Sequence, residues 1–438
     1  MKHASMMQSL ALALLLTGVA GLAACAPGQS LAGMNTAVPT IAATAVPAAT
    51  AAAGQGQPPD AVPATVPTED LIAQVRASVP QGAFTGFRAL PLTVAKGAQP
   101  LWAVISTGQI NFDLQPVTSH FLAIYTLAGN KWQELARLSL DVEKGGPTYV
   151  GEKVCRQVDI EPSHVWFVVN GGMGAHGGAF ELISFDGKML QVDVNLQSAS
   201  PGMGSVRDVN GDGQPDVVLD ESDPYVFCYA CGARKVQFQV QRWDGAQGKL
   251  AVVDLQRLPA SLPEAVTKPA NRAVELAQGG LWKDAYASIE EAMDAAKGVP
   301  GDTTTLKWDE ALIKLHADAL KETLTIEYPL IQQVFYGDYA AAVDVMRQYK
   351  PAEIFAADSP LVSDPGVQPF IESLSQHLIE SATQALRAEP DLAAAYFIRG
   401  WGEYLADPAS AQARADVGQA AKLAPDDALY AGSVAALK

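Results

Sequence analysis

The apolar residues of this chain change period near Pro259 and Pro263, and that change limits the fold more than any other feature. Before the two prolines, apolar residues come in short runs rich in β-branched and aromatic side chains, bounded by Gly, Asn and Asp, which is the pattern of strands and turns. After them, Ala, Leu, Glu and Lys recur at spacings of three and four, the period of a helix. The expected class is therefore multidomain, β then α, with a β-rich domain over 69–258 and a helical domain over 259–438.

Within the β part, residues 101–105, 165–169 and 217–219 are apolar enough for buried strands. Each is followed by a polar or Gly-rich loop and a second strand, at 121–127, 180–185 and 236–243. In the last of these Val236, Phe238 and Val240 alternate with Gln237, Gln239 and Gln241. Three units about 50 to 60 residues apart fall in the range of internal β repeats. The expectation is an antiparallel β repeat domain, partial propeller-like or sandwich-like, since propellers usually close with about 4 to 8 blades.

Asp208, Asn210, Asp212, Gly213, Gln214 and Asp216 form the sharpest motif of the chain. Oxygen side chains at loop positions one, three and five, a glycine for the turn, a backbone carbonyl at Gln214 and a later carboxylate suit a calcium ion. An EF-hand would need a Glu at position twelve, where Leu219 stands, and a helix where a strand follows. The run instead resembles the calcium loop of FG-GAP and VCBS-type repeats. That resemblance implies a structural calcium supporting nearby binding loops rather than catalysis.

At the N-terminus, Lys2 precedes an uncharged apolar run over residues 10–24, which has the layout of a secretory signal. It is shorter than the roughly 20 apolar residues of a spanning helix. Leu22, Ala23, Ala24 and Cys25 resemble a bacterial lipobox. The resemblance implies a signal peptide over 1–24, cleavage before Cys25, a lipid on that cysteine and an extracytoplasmic, membrane-anchored protein. Residues 25–68 are rich in Ala, Pro and Thr and read as a linker.

Cys155, Cys228 and Cys231 remain, and in an oxidising compartment they are disulfide candidates. The pairing is either Cys228 with Cys231 or one of them with Cys155; a thiolate metal site with His176 is the other option. Redox catalysis is disfavoured, because a strand follows the CxxC where a thiol-activating helix would be needed. Gly172, Gly174 and Gly177 match G-x-G-x-x-G, but a strand again follows, leaving no helix N-terminus for a pyrophosphate.

In the α part, Ala273, Leu276, Ala277, Gly280, Trp282, Ala285, Tyr286, Ile289 and Ala292 suggest two helices around a glycine turn. The segments before Pro390 and Pro425 echo one another at the spacing of a helical repeat. Ala395, Tyr396, Arg399, Gly400 and Tyr404 then fall on one helix, and Ala413, Val417 and Ala420 on the next. These patterns resemble tetratricopeptide (TPR) repeats over most of residues 264–438, with a Pro-rich break at 350–369. That family implies a groove for a protein partner and little chemistry.

The formal net charge of −17 counts against nucleic acid as a partner. No H-E-x-x-H, G-x-S-x-G or Walker motif occurs in the sequence, and His120, His164, His316 and His377 read as packed or surface residues. The function expected is a lipid-anchored binding or scaffold protein for a protein or glycan partner at the cell envelope. The alternative is an envelope hydrolase or carbohydrate-processing enzyme using acidic loops near Asp220, Glu221 and Asp223.

Overall fold

The computed structural model describes residues 68–94, 98–222, 233–324 and 328–437. Cys25, Cys228, Cys231 and Asp223, with the signal and nearly all of the linker, lie outside the described residues. After a first helix, α1 (Glu69–Ala77), the strands follow as β1 (Gly86–Pro91), β2 (Leu101–Gln109), β3 (His120–Ala128), β4 (Lys131–Leu140), β5 (Tyr149–Val150), β6 (Cys155–Val158), β7 (Val165–Met173), β8 (Gly177–Phe185) and β9 (Leu190–Ser198). All nine join one antiparallel sheet, in the order β4-β3-β2-β5-β7-β8-β9, with β1 also on β2 and β6 also on β7. A second sheet holds β10 (Gly204–Arg207), β11 (Asp216–Asp220), β12 (Phe238–Asp244) and β13 (Lys249–Val252) in sequence order.

The strand pairs expected from the apolar runs are present as neighbours: β2 with β3, β7 with β8 and β11 with β12. They are not separate blades. The two-residue β5 pairs with both β2 and β7, so the first two units fuse into a single curled half-barrel. Its concave face is one core, containing Ile105, Leu122, Ile124, Phe167, Val169 and Ile183. On the other face of β2 and β3, Trp102, Val104, Phe121 and Tyr125 are covered by Leu71 and Val75 of α1. On the other face of β7 and β8, Trp166, Val168, Phe180 and Leu182 meet Val217 and Leu219 of the second sheet. Burial on both faces is why these strands read as unbroken apolar runs. The approach of the two sheets is close: a Cβ on Gly204 would come 2.1 Å from Cγ of Phe180.

The helical part contains α2 (Glu264–Gln278), α3 (Trp282–Ala295), α4 (Thr304–Glu322), α5 (Pro329–Tyr336), α6 (Tyr339–Met346), α7 (Pro351–Ile354), α8 (Ile371–Ala388), α9 (Ala393–Ala406), α10 (Ala411–Leu423) and α11 (Ala428–Ala436). The helices suggested by the sequence are here, including the α2–α3 and α9–α10 hairpins and the break around α7. Gly400 allows α9 to approach α10, since a Cβ there would stand 2.9 Å from Val417 Cγ2. The carboxylate of Asp416, which is 2 % exposed, is held in two bonds of 2.6 and 2.7 Å by Arg399.

The β and α parts share structure across the period change. One face of the second sheet, with Val218 and Val240, packs on Trp308 and Leu312 of α4. Ala233 and Leu258 belong to the core of the helical array itself. Polar contacts on buried side chains reinforce the seam. Gln332 accepts from the Arg234 amide at 3.1 Å and donates to the Arg234 carbonyl at 3.2 Å, and Asp309 accepts from Gln256 N at 2.9 Å.

Of the three disulfide candidates, Cys155 alone is among the described residues. Cys155 is free, buried in the half-barrel core, and burial pushes its thiol up to about 12. Its strand position aims it among Val150 and Val169, and Cys228 and Cys231, the partners expected for it, lie outside the described residues.

Candidate functional site

The motif loop is the connection between β10 and β11, whose register brings Arg207 opposite Asp216. Two glycines with positive φ, Gly211 at 73° and Gly213 at 82°, let it fold back on itself. Asp208 accepts from the amides of Gly211 and Gly213, each at 2.8 Å, and Asp212 accepts from Gln214 N at 2.9 Å. Asn210 accepts from Asp212 N at 3.1 Å. Asp212 also forms an ion pair of 2.7 Å with Arg242 of β12.

Among the described residues no three His, Cys, Asp or Glu side chains stand close enough together to ligate one ion. The donor set still fits a hard cation on one observation. Asp216 is fully buried; its Oδ2 accepts from Val209 N at 2.9 Å, while Oδ1 has no partner. Burial pushes this carboxyl up to about 6, and the negative charges of Asp212 and Asp208 add to the effect. A buried oxygen without a partner costs free energy, and a cation would supply one.

The outer side of the same loop builds a cavity. Gly213, Gln214 and Pro215 form one wall of a space of about 700 Å³, whose other walls come from the segment joining β6 to β7, the β8–β9 turn and residues around Leu101. Projecting into its lining is a side-chain cluster that sequence reasoning missed. Glu161 accepts from Ser163 N at 2.7 Å, from Ser163 Oγ at 2.5 Å and from Trp166 Nε1 at 3.2 Å, and it also bonds Nδ1 of His164. Burial opposes ionisation of Glu161, but these hydrogen bonds outweigh it and hold its carboxyl below the usual range. Ser163 Oγ lies on the same ring nitrogen of His164, at 3.0 Å. A nucleophilic triad needs serine and acid on opposite ring nitrogens, so this serine serves to fix the loop and orient His164. Neither a protein-family model nor a curated protein matches the chain.

The remaining sequence-derived candidates lie elsewhere. Asp220 pairs with Arg234 at 3.0 Å and caps Ser222 N at 3.0 Å, while Glu221 is exposed. His316 sits between the parts: it stacks on Trp282 with centroids 4.3 Å apart and accepts from Phe238 N at 3.3 Å. Gly172, Gly174 and Gly177 lie at the β7–β8 hairpin, and β8 is a strand as expected. A second open cleft, of about 830 Å³, runs between α2 and α8 with Arg257, Glu275, Glu380 and Arg387 in its lining. Among the described residues, no helix is long and apolar enough to cross a membrane.

Proposed function

We propose that this protein is a lipid-anchored extracytoplasmic binding or scaffold protein that holds a protein or glycan partner at the cell envelope, on a β body stiffened by calcium. The observation that carries the reading is that one short loop does two things. Its inner side presents the unpartnered oxygen of Asp216, and its outer side forms a wall of the 700 Å³ cavity. Asp208, Asn210, Asp212, Asp216 and the carbonyl of Gln214 would hold the ion, which supplies positive charge where the carboxylates crowd and ties β10 to β11. Lipid attachment at Cys25, the TPR-like reading of the helices and the linker's reach belong to the same proposal.

The test is capture of the protein from crosslinked envelopes with and without a calcium chelator. A reproducible partner lost on chelation supports the reading, and an identical set of captured proteins in both conditions counts against it. Membrane fractionation of Cys25→Ser checks the anchor: release into the soluble fraction is expected, and retention would overturn it. The alternative, an envelope hydrolase or carbohydrate-processing enzyme, draws on the Glu161–His164 pair and would require turnover of a glycan or ester that is lost in His164→Ala.

A further inference from the structure

A pocket of about 280 Å³ lies on the seam between sheet and helices, apart from the motif loop. Residues 235–237, which lead into β12, form one wall, and α3, α4, α5, α6 and α8 supply the others. Leu320, Val334 and Phe335 are buried and give it apolar walls. Of the polar groups in the described lining, Lys235, Gln237 and Gln384 are exposed and Ser381 and Trp282 are half-buried, so water reaches them. His316 uses both ring nitrogens inside the protein, Nδ1 on the Leu312 carbonyl at 2.9 Å and Nε2 on Phe238 N at 3.3 Å. Tyr339 differs from all of these. It is 2 % exposed, yet its hydroxyl has no hydrogen-bond partner among the described residues. Burial pushes the phenol up, so the proton stays on the oxygen. That oxygen is not sealed from solvent, and the pocket that Tyr339 lines is the space it opens onto. A donor carried into a core and left unused costs free energy until something accepts from it. Water is a poor match, because a held water needs about two to four polar partners and the buried walls offer only this one.

We propose that the seam pocket binds a small uncharged molecule with an apolar body and a carbonyl oxygen, which accepts from Tyr339. The body packs on Leu320, Val334 and Phe335. A carbonyl takes the phenolic proton and adds no donor of its own, whereas an alcohol would leave one of two protons unbonded at the same walls. A cation is disfavoured, since the described lining contains no Asp or Glu. The volume falls just under the range of drug-sized sites, which calls for a compact ligand. Because elements of both parts of the molecule line the pocket, an occupant would tie sheet to helices. This site goes beyond the partner-binding reading above and stands independently of the calcium loop.

The test is calorimetric titration of the whole protein with acetophenone and with α-methylstyrene, which has the same shape with a methylene in place of the oxygen. The parent is expected to bind both. Tyr339→Phe should weaken acetophenone about tenfold and leave α-methylstyrene unchanged. The change in the ratio of the two affinities cancels their different hydration and isolates the hydrogen bond. With no probe present, Tyr339→Phe should unfold at the parent's temperature or above it, since it removes a hydroxyl that bonds nothing. Excess acetophenone should raise the unfolding temperature of the parent by more than that of the variant. An affinity ratio indifferent to the substitution, or no binding of acetophenone, overturns the proposal. So does a variant that unfolds earlier without a probe, because the hydroxyl would then be serving the fold.

Discussion

Arg242 Nη1 lies 2.7 Å from Asp212 Oδ2, and the same guanidinium stands 5.4 Å from the centre of the Trp308 ring. One side chain of β12 thus touches both the motif loop and α4. Arg242→Ala removes a partly exposed ion pair and a cation–π contact, for an expected loss of about 1 to 2 kcal/mol in urea unfolding. An unchanged midpoint would show that the contact carries no stability.

Calcium should raise the unfolding temperature of the chelated protein, by linkage worth about 2.7 kcal/mol at a hundredfold excess over Kd. Asp216→Asn should behave in two ways. In chelator it relieves a buried carboxyl whose Oδ1 has no partner and is expected to be at least as stable as the parent. In calcium it should lose most of the gain. Scanning calorimetry in both buffers decides this, and equal calcium shifts in parent and variant would remove Asp216 from the ligand set.

Stability should fall as pH rises across the mildly acid range. Burial raises Glu181 from 4.5 to about 7, against the Asn195 hydrogen bond, and raises Asp309 from 3.8 to about 7. The folded state holds these protons more tightly than the unfolded chain, so their contribution is complete below 4.5 and 3.8 and is lost as pH approaches 7. His120 acts in the opposite sense. Burial lowers it from 6.5 to about 4, so its contribution is present above 6.5 and disappears as pH falls toward 4. Glu181→Gln and Asp309→Asn should each flatten the decline toward neutral pH, as read from denaturation midpoints; a variant whose profile runs parallel to the parent would refute its assignment.

The seam between sheet and helices depends on a few buried polar groups. Gln332→Leu leaves both the amide and the carbonyl of Arg234 without their partner, for an expected cost of about 2 to 4 kcal/mol. His316→Phe keeps a ring against Trp282 but removes the acceptor of Phe238 N, at about 1 to 3 kcal/mol. Both should lower a single unfolding transition seen identically by circular dichroism and tryptophan fluorescence. Two separated transitions in the parent protein would contradict the shared core.

The parts of the fold legible in the sequence were those with local causes. Residues 101–105, 165–169 and 217–219 stood out because both faces of those strands are buried, and α2, α3, α9 and α10 because one stripe of each is apolar. α1 was missed, since only Leu71 and Val75 of its nine residues are buried. The fusion of the strand units rests on β5, two residues whose pairing leaves no pattern to read. The same division holds at the site. The motif loop is a contiguous run with regular oxygen spacing, whereas the cavity draws on four segments that only the fold assembles. A local clue existed in Glu161, Ser163 and His164, where an acid, a hydroxyl and an imidazole crowd one turn.

The place where the period changes looks like the natural point to divide this molecule, and it is a poor one. A fragment beginning at Glu264 would lack Ala233 and Leu258 from its interior and would bare Trp308 and Leu312 to water. The remainder would bare Val218 and Val240 in turn. Neither piece keeps its interior covered, so a load on the helices passes directly into the second sheet.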